Sequence, residues 1–590
     1  MKEKKTKNVR QENLLRFGSI LLLVVGVNII FAFFFARLDL TVEKRYTLSK
    51  STKTMLKKLD DIIYVKVYLS GNKLPPDYAE LSQKTRELLD EMRIYTDNIE
   101  YEFIDPAQGH DQSEMNAVYG ELYRKGLQPQ AIQSQGADGV MTNYIVPGAL
   151  VSYRTRETPL QLLDADDGLI PQENVVKYSI DKLEYNISNT IRRLTHQQQA
   201  KVAFLKGHGE LTNWQIFRAL TAIGQFYYVD TVVLDKRNPI TSTFSIFDIE
   251  ITDTVTGDYK VSGNKYDLLI IAKPTKPFEN YEKYLIDQFV MRGGRLLWYV
   301  DPVFAEMDSL QHYSEMPILP MDLNLEDMFF RYGVRLNTNL LQDLNALPIP
   351  IMAGQKGGQP QYKYIPWYYF PVITPYLEHP IVKNMNLLRT EFISSIDTVG
   401  SKSDLQKTIL LTTSNKTKVV NAPSIVSLET LKKRANMLEY SKQNLPVSVL
   451  VEGEFTSLFN NLEGESMQEL APIAKSKRTK MIFVSDGDMV RNQLGMDNMG
   501  NIFPYPLGAD RYSGMAFGNK NFLLNAVNYL CDDEEILQVR SKDFKMRLLD
   551  SNRILKEKTR WQTLNLMLPL LLIGILGVSL ASVRRVRYAK

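Results

Sequence analysis

Two long uncharged apolar runs, one near each end of the chain, restrict what this sequence can fold into more than any other feature. Residues 17–36 read FGSILLLVVGVNIIFAFFFA, and residues 564–583 read LNLMLPLLLIGILGVSLASV. About twenty apolar residues in a helix cross the roughly 30 Å hydrocarbon core of a bilayer. Ala36 is preceded two positions earlier by Phe34, where signal-peptide cleavage requires a small residue. We therefore predict an uncleaved transmembrane helix at each end.

The short tails outside these two runs are basic. Residues 1–16 contain six Lys or Arg residues, and residues 584–590 contain four. Because basic tails are retained on the cytoplasmic side, we predict that both termini are cytoplasmic. The region between the runs would then lie outside the cytoplasm, as a periplasmic domain. Three basic residues just before the second run oppose this orientation: Lys556, Lys558 and Arg560.

Charge and cysteine content exclude several classes of protein. The 71 Lys and Arg residues nearly balance the 67 Asp and Glu residues, so the sequence does not indicate a nucleic-acid-binding surface. The single cysteine, Cys531, excludes an internal disulfide framework and any CxxC metal or redox motif.

The region between the anchors has an α/β pattern in two parts. Residues 37–195 contain a strand-helix-strand unit and further strands, which predicts a thioredoxin-like domain without thioredoxin chemistry. Residues 196–535 alternate apolar strands with helices, which predicts a doubly wound parallel sheet. Residues 303–475 are more irregular and are predicted to be an insertion, after which the strand near residue 480 rejoins the sheet. Residues 536–563 are predicted to be a helical linker.

Polar residues follow several of the predicted strands. GHGE at 207–210 follows KVAFLK, an Asp-Pro pair follows LLWYV, and DGD at 486–488 follows MIFVS. Ligands of open parallel sheets bind outside the carboxyl ends of the strands, so these residues are candidates to face one crevice. Acids and glycines at strand ends also form turns and cap helices. The candidate ligand-binding residues are His208, Glu210, Asp301, Asp486 and Asp488.

The motifs of several enzyme classes are absent. The sequence has no GxSxG or GxCxG elbow for a nucleophile and no GxxxxGK[ST] phosphate loop. It has no HExxH, and one HxE spacing is weak support for a metal, so no metal and no cofactor are predicted. The aromatic stretch YKYIPWYYFP at 362–371 has two readings, a plug between insertion and sheet or a platform for a ligand.

The segments KVAFLKGHGE, YDLLIIAKPTKPFENYEKYLIDQFVMRGGRLLWYVDP, FVSDGDMVRN and GNKNFLLNAVNYL, in this order between two anchors, resemble the auxiliary, substrate-binding-like subunits of ABC transporters associated with bacterial gliding motility. The resemblance covers nearly the whole chain. It implies an inner-membrane protein that works with a multi-span permease and a separate cytoplasmic ATPase. It also implies a soluble domain of the type shared with intraflagellar-transport proteins, without an amidotransferase nucleophile.

We therefore predict a noncatalytic, doubly anchored subunit, and two rival hypotheses remain open. One is an envelope hydrolase acting on glycan or peptidoglycan, with Glu210 and either Asp486 or Asp488 as its acid-base pair. The other is a structural scaffold with an empty cleft. The residues identify no ligand, and a glycan is one candidate. Gly574 and Gly577 in the second span are candidates for close packing against a partner helix.

Overall fold

The computed structural model describes residues 17–23, 25–26, 47–71, 74–108, 112–136, 139–163, 175–195, 200–234, 245–251, 259–356, 359–375, 377–383, 385–400, 405–432, 435–459, 470, 472–497, 499–531 and 551–588. The chain divides into a main unit, which extends to Lys542, and a C-terminal unit from Asp543 onward that also includes residues 40–45. The main unit contains several sheets with helices packed on them, which confirms the predicted α/β class.

The first part of the main unit is a small α/β region. Its sheet has the strand order β2-β1-β5-β6, in which β1 and β2 are parallel and the other pairs are antiparallel, while β3 and β4 form a separate hairpin. The helices are α1 (Lys50–Lys57), α2 (Pro76–Arg93), α3 (Gln112–Arg124) and α4 (Val175–Thr195). The strands are β1 (Ile63–Val67), β2 (Ile99–Phe103), β3 (Gln130–Gly136), β4 (Gly139–Ile145), β5 (Gly148–Tyr153) and β6 (Arg156–Gln161).

Helix α1 is tied to α4 at its first turn. The Ser49 hydroxyl caps α1 by accepting a hydrogen bond from the Thr52 backbone N–H. The Glu184 carboxylate of α4 accepts hydrogen bonds from the Ser49 N–H at 2.7 Å and from the Thr52 hydroxyl at 2.9 Å. An acid side chain therefore satisfies donors at the start of α1, where helices carry partial positive charge.

The second part of the main unit is built on a seven-stranded sheet with the order β21-β24-β25-β12-β11-β7-β8, in which β21 is Leu405–Thr412, β24 is Pro446–Gly453 and β25 is Thr479–Val484. The strands from β25 to β8 are parallel, and β24 and β21 are added antiparallel at one side. Between residues 201 and 299, the elements in chain order are β7 (Lys201–Lys206), α5 (Phe217–Gly224), β8 (Tyr228–Val233), β9 (Phe247–Ile251), β10 (Tyr259–Asn264), β11 (Leu268–Ala272), α6 (Asn280–Met291) and β12 (Arg295–Tyr299).

Both faces of this sheet are buried, which explains why its central strands are almost wholly apolar. In β11, Leu268 and Ile270 belong to one core, together with apolar residues of α5 and the later helix α9 (Asn519–Cys531). Leu269 and Ile271 belong to the core on the other face, together with apolar residues of α6. Because successive side chains of a strand point to opposite faces, one short strand supplies both cores.

The segment predicted as an insertion contributes to the large sheet. The strand near residue 480 rejoins the sheet beside β12, as predicted, but β21 and β24 within the insertion also pair into it. The PVSVLVEG segment of β24 is buried at five consecutive positions from Val447, so it suits an interior strand. The remaining elements are β13 (Val303–Phe304), α7 (Met307–His312), β14 (Glu315–Pro320), α8 (Glu326–Arg331), β15 (Val334–Leu336), β16 (Asn339–Asp343), β17 (Ala346–Lys356), β18 (Gln359–Ile373), β19 (Leu388–Arg389), β20 (Ile396–Thr398), β21 (Leu405–Thr412), β22 (Thr417–Asn421), β23 (Ser424–Ser427), β24 (Pro446–Gly453), β25 (Thr479–Val484), β26 (Leu494–Met496) and β27 (Ile502–Pro504).

The C-terminal unit contains one long helix, α10 (Ser551–Tyr588). Within α10, the residues Gln562–Val586 are long and apolar enough to cross a membrane, and they include the predicted run 564–583. This is the one such helix among the described residues. Most of the predicted first span, residues 17–36, lies outside the described residues, as does the first part of the predicted linker 536–563.

Candidate functional site

The carboxyl ends of four adjacent parallel strands place the candidate residues at one edge of the large sheet. In spatial order these strands are β25, β12, β11 and β7. They are followed by Asp486 to Asp488, by Asp301, by Lys273 and by the 207–210 turn. Because parallel strands end at the same edge, residues far apart in the sequence meet here.

The GHGE segment is a tight turn packed against the loop that follows β11. Gly207 and Gly209 have φ values of +126° and +74°, which glycine adopts readily. A Cβ atom at Gly209 would lie 2.1 Å from the Thr275 hydroxyl oxygen. The backbone N–H groups of Thr275 and Lys276 donate to the His208 carbonyl at 2.8 and 2.9 Å. The second glycine is therefore required by a close contact between two loops.

His208 lies inside this turn between two carboxylates. Its Nδ1 is 3.3 Å from Glu210 and its Nε2 is 2.9 Å from Glu282, in the first turn of α6. Its ring stacks on Phe278 with centroids 3.7 Å apart. Burial by itself lowers the pKa of His208, but hydrogen bonds and charge from Glu210 and Glu282 outweigh it and raise the pKa to about 9. At neutral pH the side chain is a buried imidazolium held by two acids.

A buried lysine organises the acids that follow β12 and β25. The Lys273 ammonium lies 3.2 Å from Asp301 and also forms an ion pair with Asp488. Asp488 in turn lies 3.2 Å from Arg491, whose side chain is partly exposed. Lys273 has a φ of +57°, and its side chain lies over Gly487, where a Cβ atom would be 2.6 Å from it. The conformation of Lys273 and the glycine in DGD therefore depend on each other.

The protonation of this lysine cluster follows from burial and from pairing. Burial opposes the charge on Lys273, but Asp488 and Asp301 raise its pKa above the ordinary value. Burial alone would raise the pKa of Asp488, and the charges of Lys273 and Arg491 bring it below its usual range. Burial raises the pKa of Asp301 to about 6, although Lys273 opposes the shift. Lys273 and Asp488 are thus charged at neutral pH, and Asp301 gains its charge as the pH rises through about 6.

Asp486 has a structural role at the same edge. One carboxylate oxygen accepts the Asp488 N–H at 2.7 Å and so caps the short 3-10 turn Gly487–Val490. The other accepts the Glu391 N–H at 2.9 Å, from a segment of the insertion. The Asp301 carboxylate similarly accepts the Gly487 N–H at 2.6 Å. Turn formation and capping, the simpler reading of acids at strand ends, therefore account for much of what these side chains contact.

A polar cavity of about 260 Å³ lies at this edge, which we name the strand-edge cavity. Of the five candidate residues, only Asp488 lines it. His208 and Asp488 are both buried, with relative exposures of 3% and 6%. Both side chains are buried because paired charges of the opposite sign are available to them. The structure groups Asp301, Asp486 and Asp488 around Lys273 and holds His208 and Glu210 in a second network with Glu282.

Several residues of the site were not predicted from the sequence. Lys273 follows the apolar strand YDLLIIA directly, at the same kind of position as the predicted acids, and this signal could have identified it. Glu282 occupies the third helical position of a capping box with Glu279, which is also readable from the sequence. Arg389 and Glu391, which line the strand-edge cavity, come from the insertion and carry no local signal.

Three further observations concern a metal site, a second cavity and the aromatic stretch. Among the described residues, no three His, Cys, Asp or Glu side chains are grouped so that they could hold a metal ion. A larger apolar cavity of about 690 Å³, bordered by Leu325 and Phe329, contains none of the five candidates. In the aromatic stretch 362–371, Trp367, Tyr369 and Phe370 are buried in a core, as expected of a plug. Tyr362 and Tyr364 are exposed, as a platform for a ligand would require.

Comparison with known proteins gives a family match over more than half of the chain. Residues 199–526 match the profile of a family described as an ABC-type uncharacterized transport system, with auxiliary components. Residues 42–152 match a second family, which is described only as a domain of unknown function. The first match contains every element of the strand edge described above.

Individual relatives are more distant. An uncharacterized protein of Borreliella burgdorferi is 22% identical over 399 residues, which cover 66% of this chain and 67% of that protein. The N-terminal domain of mmIFT52 superposes with a TM-score of 0.30 and 11% identity, covering 56% of this chain and 97% of that domain. A thuA-like protein from Parabacteroides merdae has a TM-score of 0.24 and 12% identity, over 57% and 90%. Neither TM-score is high enough to establish a shared fold.

Proposed function

This chain belongs to the family described as an ABC-type uncharacterized transport system, and we propose that it is a noncatalytic, membrane-anchored auxiliary subunit of such a system. Membership implies a permease and an ATPase as partners in general terms. The finer proposal is the one suggested by the sequence resemblance: a complex in the bacterial inner membrane that is required for gliding motility, with the large unit in the periplasm. The α/β regions are proposed to be thioredoxin-like and doubly wound, respectively.

The observation that supports a noncatalytic role is the full engagement of the strand-edge acids. Both oxygens of Glu210 contact His208, one through the ring and one through the backbone N–H. Both oxygens of Asp486 accept backbone N–H groups. A general acid or base must reach a proton of the substrate. Asp488, the alternative to Asp486, is paired with Lys273 and Arg491. The acids of the hydrolase hypothesis therefore already have partners within the protein.

The test of this role is a direct assay of the full chain purified in mild detergent. We expect no hydrolysis of ATP and no cleavage of peptidoglycan or polysaccharide. Cleavage that disappeared in Glu210→Gln or Asp486→Asn, with a folded variant, would establish the hydrolase instead. The Lys276→Gln variant is the matched control, because Lys276 is an exposed residue beside the same edge.

The proposed anchoring rests on helix α10 and on the sequence of the N-terminal run. We propose that both runs span the membrane and that both termini are cytoplasmic. Protease added to the periplasmic face should then digest the main unit and leave tags on both termini intact. Digestion of either tag would overturn this orientation.

The permease is proposed to pack against the second span at Gly574 and Gly577. Among the described residues, a Cβ atom added at either glycine meets nothing within 4 Å, which leaves room there for a partner helix. Replacement of both glycines by leucine should release the permease and the ATPase from the purified complex while the main unit remains folded. Unchanged copurification would remove this docking surface from the proposal.

The strand-edge cavity is proposed to receive a polar ligand or a polar segment of a partner. His208 and Asp488 are unsuitable for testing this, because their replacement would leave buried charges unpaired. Arg511 lines the cavity and is exposed, so Arg511→Ala changes the lining with little effect on stability. We expect loss of surface motility with assembly intact. Normal motility in this variant would favour the scaffold hypothesis.

A further inference from the structure

The apolar cavity of about 690 Å³ lies beside helix α8, and we name it the α8 cavity. Val300 and Pro302, which follow β12, form one part of its lining, and Leu325 and Phe329 form another. The remaining apolar lining residues are Met321, Leu323, Phe330, Leu336 and Leu458. Small-molecule sites are usually mostly apolar, with a few polar groups, and have volumes of about 300 to 1,000 Å³. The α8 cavity meets both conditions.

The apolar walls of the α8 cavity are held by the core behind them. Val300, Leu325 and Phe329 are buried and belong to the core on the α6 face of the large sheet. The Phe329 ring packs edge-on against Trp298, with centroids 5.0 Å apart. Phe330, the next residue of α8, lines the cavity and is 61% exposed. Packed walls keep the cavity open, and an apolar ligand would remove exposed apolar surface from water.

The charged residues of the α8 cavity are separated by sign along α8. Glu326 and Asp327 lie in the first turn of the helix, and Arg331 is its last residue. The five steps from Glu326 to Arg331 correspond to about 7.5 Å along the helix axis. At the acidic end, the buried Lys283 ammonium donates to both oxygens of Asp327, at 2.6 and 2.8 Å. One of the two acids is therefore already paired.

The basic end of the α8 cavity has an unpaired charge. The Arg331 guanidinium forms no hydrogen bond or ion pair within the part of the chain that the structure describes. Arg335, in β15, also lines the cavity and is paired with Asp397. Lys407 adds a further positive charge nearby, because a Cβ atom at Gly333 would lie 2.6 Å from its Cε. An anionic group is therefore favoured at this end.

These features together describe a site for an amphiphile. The apolar lining extends along α8 from Leu323, before the helix, to Leu336, in β15. A ligand with its anionic group at Arg331 can therefore place an apolar chain along the buried walls. Guanidinium groups bind carboxylates through two parallel hydrogen bonds. The chain also has a helix long enough to cross a membrane, and membranes are a source of such amphiphiles.

We propose that the α8 cavity binds a long-chain fatty acid, with its carboxylate on Arg331 and its hydrocarbon chain against Leu323, Leu325 and Phe329. The strand-edge cavity has a different lining, so this site does not depend on the function proposed for that cavity. Binding here would add a lipid-responsive site to the main unit.

The test is photolabelling of the full chain with a palmitic acid analogue that carries a diazirine on its hydrocarbon chain. The protein is reconstituted in phosphatidylcholine nanodiscs, because a detergent is itself an amphiphile. Mass spectrometry of the peptides should locate saturable label within residues 321–336. Excess palmitate should displace this label, and methyl palmitate, which has the same chain without the charge, should displace it at least about tenfold less effectively.

Label confined to α10, the candidate membrane span, would mean that the analogue only enters the bilayer, and it would overturn the proposal. Equal displacement by palmitate and methyl palmitate would also overturn it, because the carboxylate would then have no partner in the protein.

Variants connect the binding to this cavity. Arg331→Gln should weaken labelling of residues 321–336 about tenfold, and Arg331→Lys should keep most of it. Thr338→Trp, at an exposed position of the lining, should obstruct the cavity and reduce labelling as well. The matched control is Arg511→Gln, at an exposed arginine of the strand-edge cavity, which should leave labelling unchanged. Thermal unfolding shows which variants are folded, and unchanged labelling in folded Arg331→Gln or Thr338→Trp would overturn the proposal.

Discussion

The strand-edge cavity can be compared with a second polar cavity, of about 510 Å³, which is lined by residues of α4, the end of α5 and the first turn of α9 and which we name the junction cavity. At the strand edge, four cations stand beside five carboxylates, and the buried ones are paired within the protein. At the junction, three cations line the wall without a carboxylate from the described residues, and two buried polar atoms lack partners. The paired charges at the strand edge hold loops together, although one buried atom there, Arg389 Nε, also has no hydrogen-bond partner. Acidic residues at strand ends are therefore first of all partners of other groups in the protein, as Asp301 and Asp486 are of backbone N–H groups.

The largest expected loss of stability follows from removing Lys273, the buried lysine at the strand edge. Lys273→Met leaves Asp301 buried without its cation and leaves Asp488 with Arg491 alone, and breaking such a buried pair typically costs about 3 to 5 kcal/mol. Thermal or denaturant unfolding of the purified chain should detect this loss. The matched control is Lys276→Met, three residues away and exposed, which should change stability by less than about 0.5 kcal/mol.

Adding Asp301→Asn to Lys273→Met should restore part of the lost stability, because Asp301 is paired with Lys273, whereas Asp488 also has Arg491 beside it. Equal stability of the Lys273→Met and Lys276→Met proteins would contradict the view that the strand edge depends on paired charges.

An intermediate effect is expected in the pH dependence of stability. The pKa of His208 is about 9 in the folded protein and about 6.5 in an unfolded chain. Its contribution is therefore fully present below pH 6.5 and is lost as the pH rises through 9. The shift corresponds to about 3 kcal/mol. Unfolding measured between pH 6.5 and 9 should show this decline, and His208→Gln should remove it.

The pH window separates this contribution from that of the lysine cluster. The pKa of Asp301 is raised to about 6, so its protonation changes between the unfolded value near 4 and about 6. A flat stability profile above pH 6.5 in the unmodified protein would mean that the imidazolium is not held by Glu210 and Glu282.

The smallest effect is expected at the junction. Asn189→Leu replaces a buried side chain whose oxygen has no partner with an apolar one of similar volume, so stability should change by no more than about 1 kcal/mol. Asn519→Leu is the matched comparison, because that buried amide makes three hydrogen bonds to backbone groups, and its loss should cost about 3 kcal/mol. A large destabilisation by Asn189→Leu would show that the amide has a structural role.

The parts of the fold that depend on apolar runs and helical periodicity could be predicted from the sequence. Apolar runs such as LLIIA mark strands buried on two faces, and the return of the chain to the sheet after residue 480 is confirmed. The grouping of Asp301 with Asp486 and Asp488 also follows, because adjacent parallel strands end together. The pairing of β21 and β24 with the same sheet was not predicted, since the irregular sequence around them conceals two strands.

The side-chain contacts at the two cavities could not be predicted as well, for physical reasons. Whether an acid at a strand end faces solvent or a buried lysine depends on the φ of Lys273 and on its packing over Gly487, neither of which has a sequence signature. The junction cavity depends on segments far apart in the chain, as the 343-residue separation of Tyr185 and Asn528 indicates. Composition and periodicity describe single elements, and a cavity between elements requires their packing.

The hydrogen bonds from α1 to Glu184 have a mechanical consequence. They connect Ser49 to α4 across 135 residues of sequence, so a pull on the chain before Ser49 reaches α4 through a few bonds rather than through the intervening strands. Glu184 is the neighbour of Tyr185, which contacts α9, and lies two residues after Lys182 of the junction cavity. Tension applied to the chain before Ser49 would therefore act on α4. Because Glu184 and Lys182 are neighbours on this helix, the force would reach the wall of the junction cavity close to the point where it enters α4.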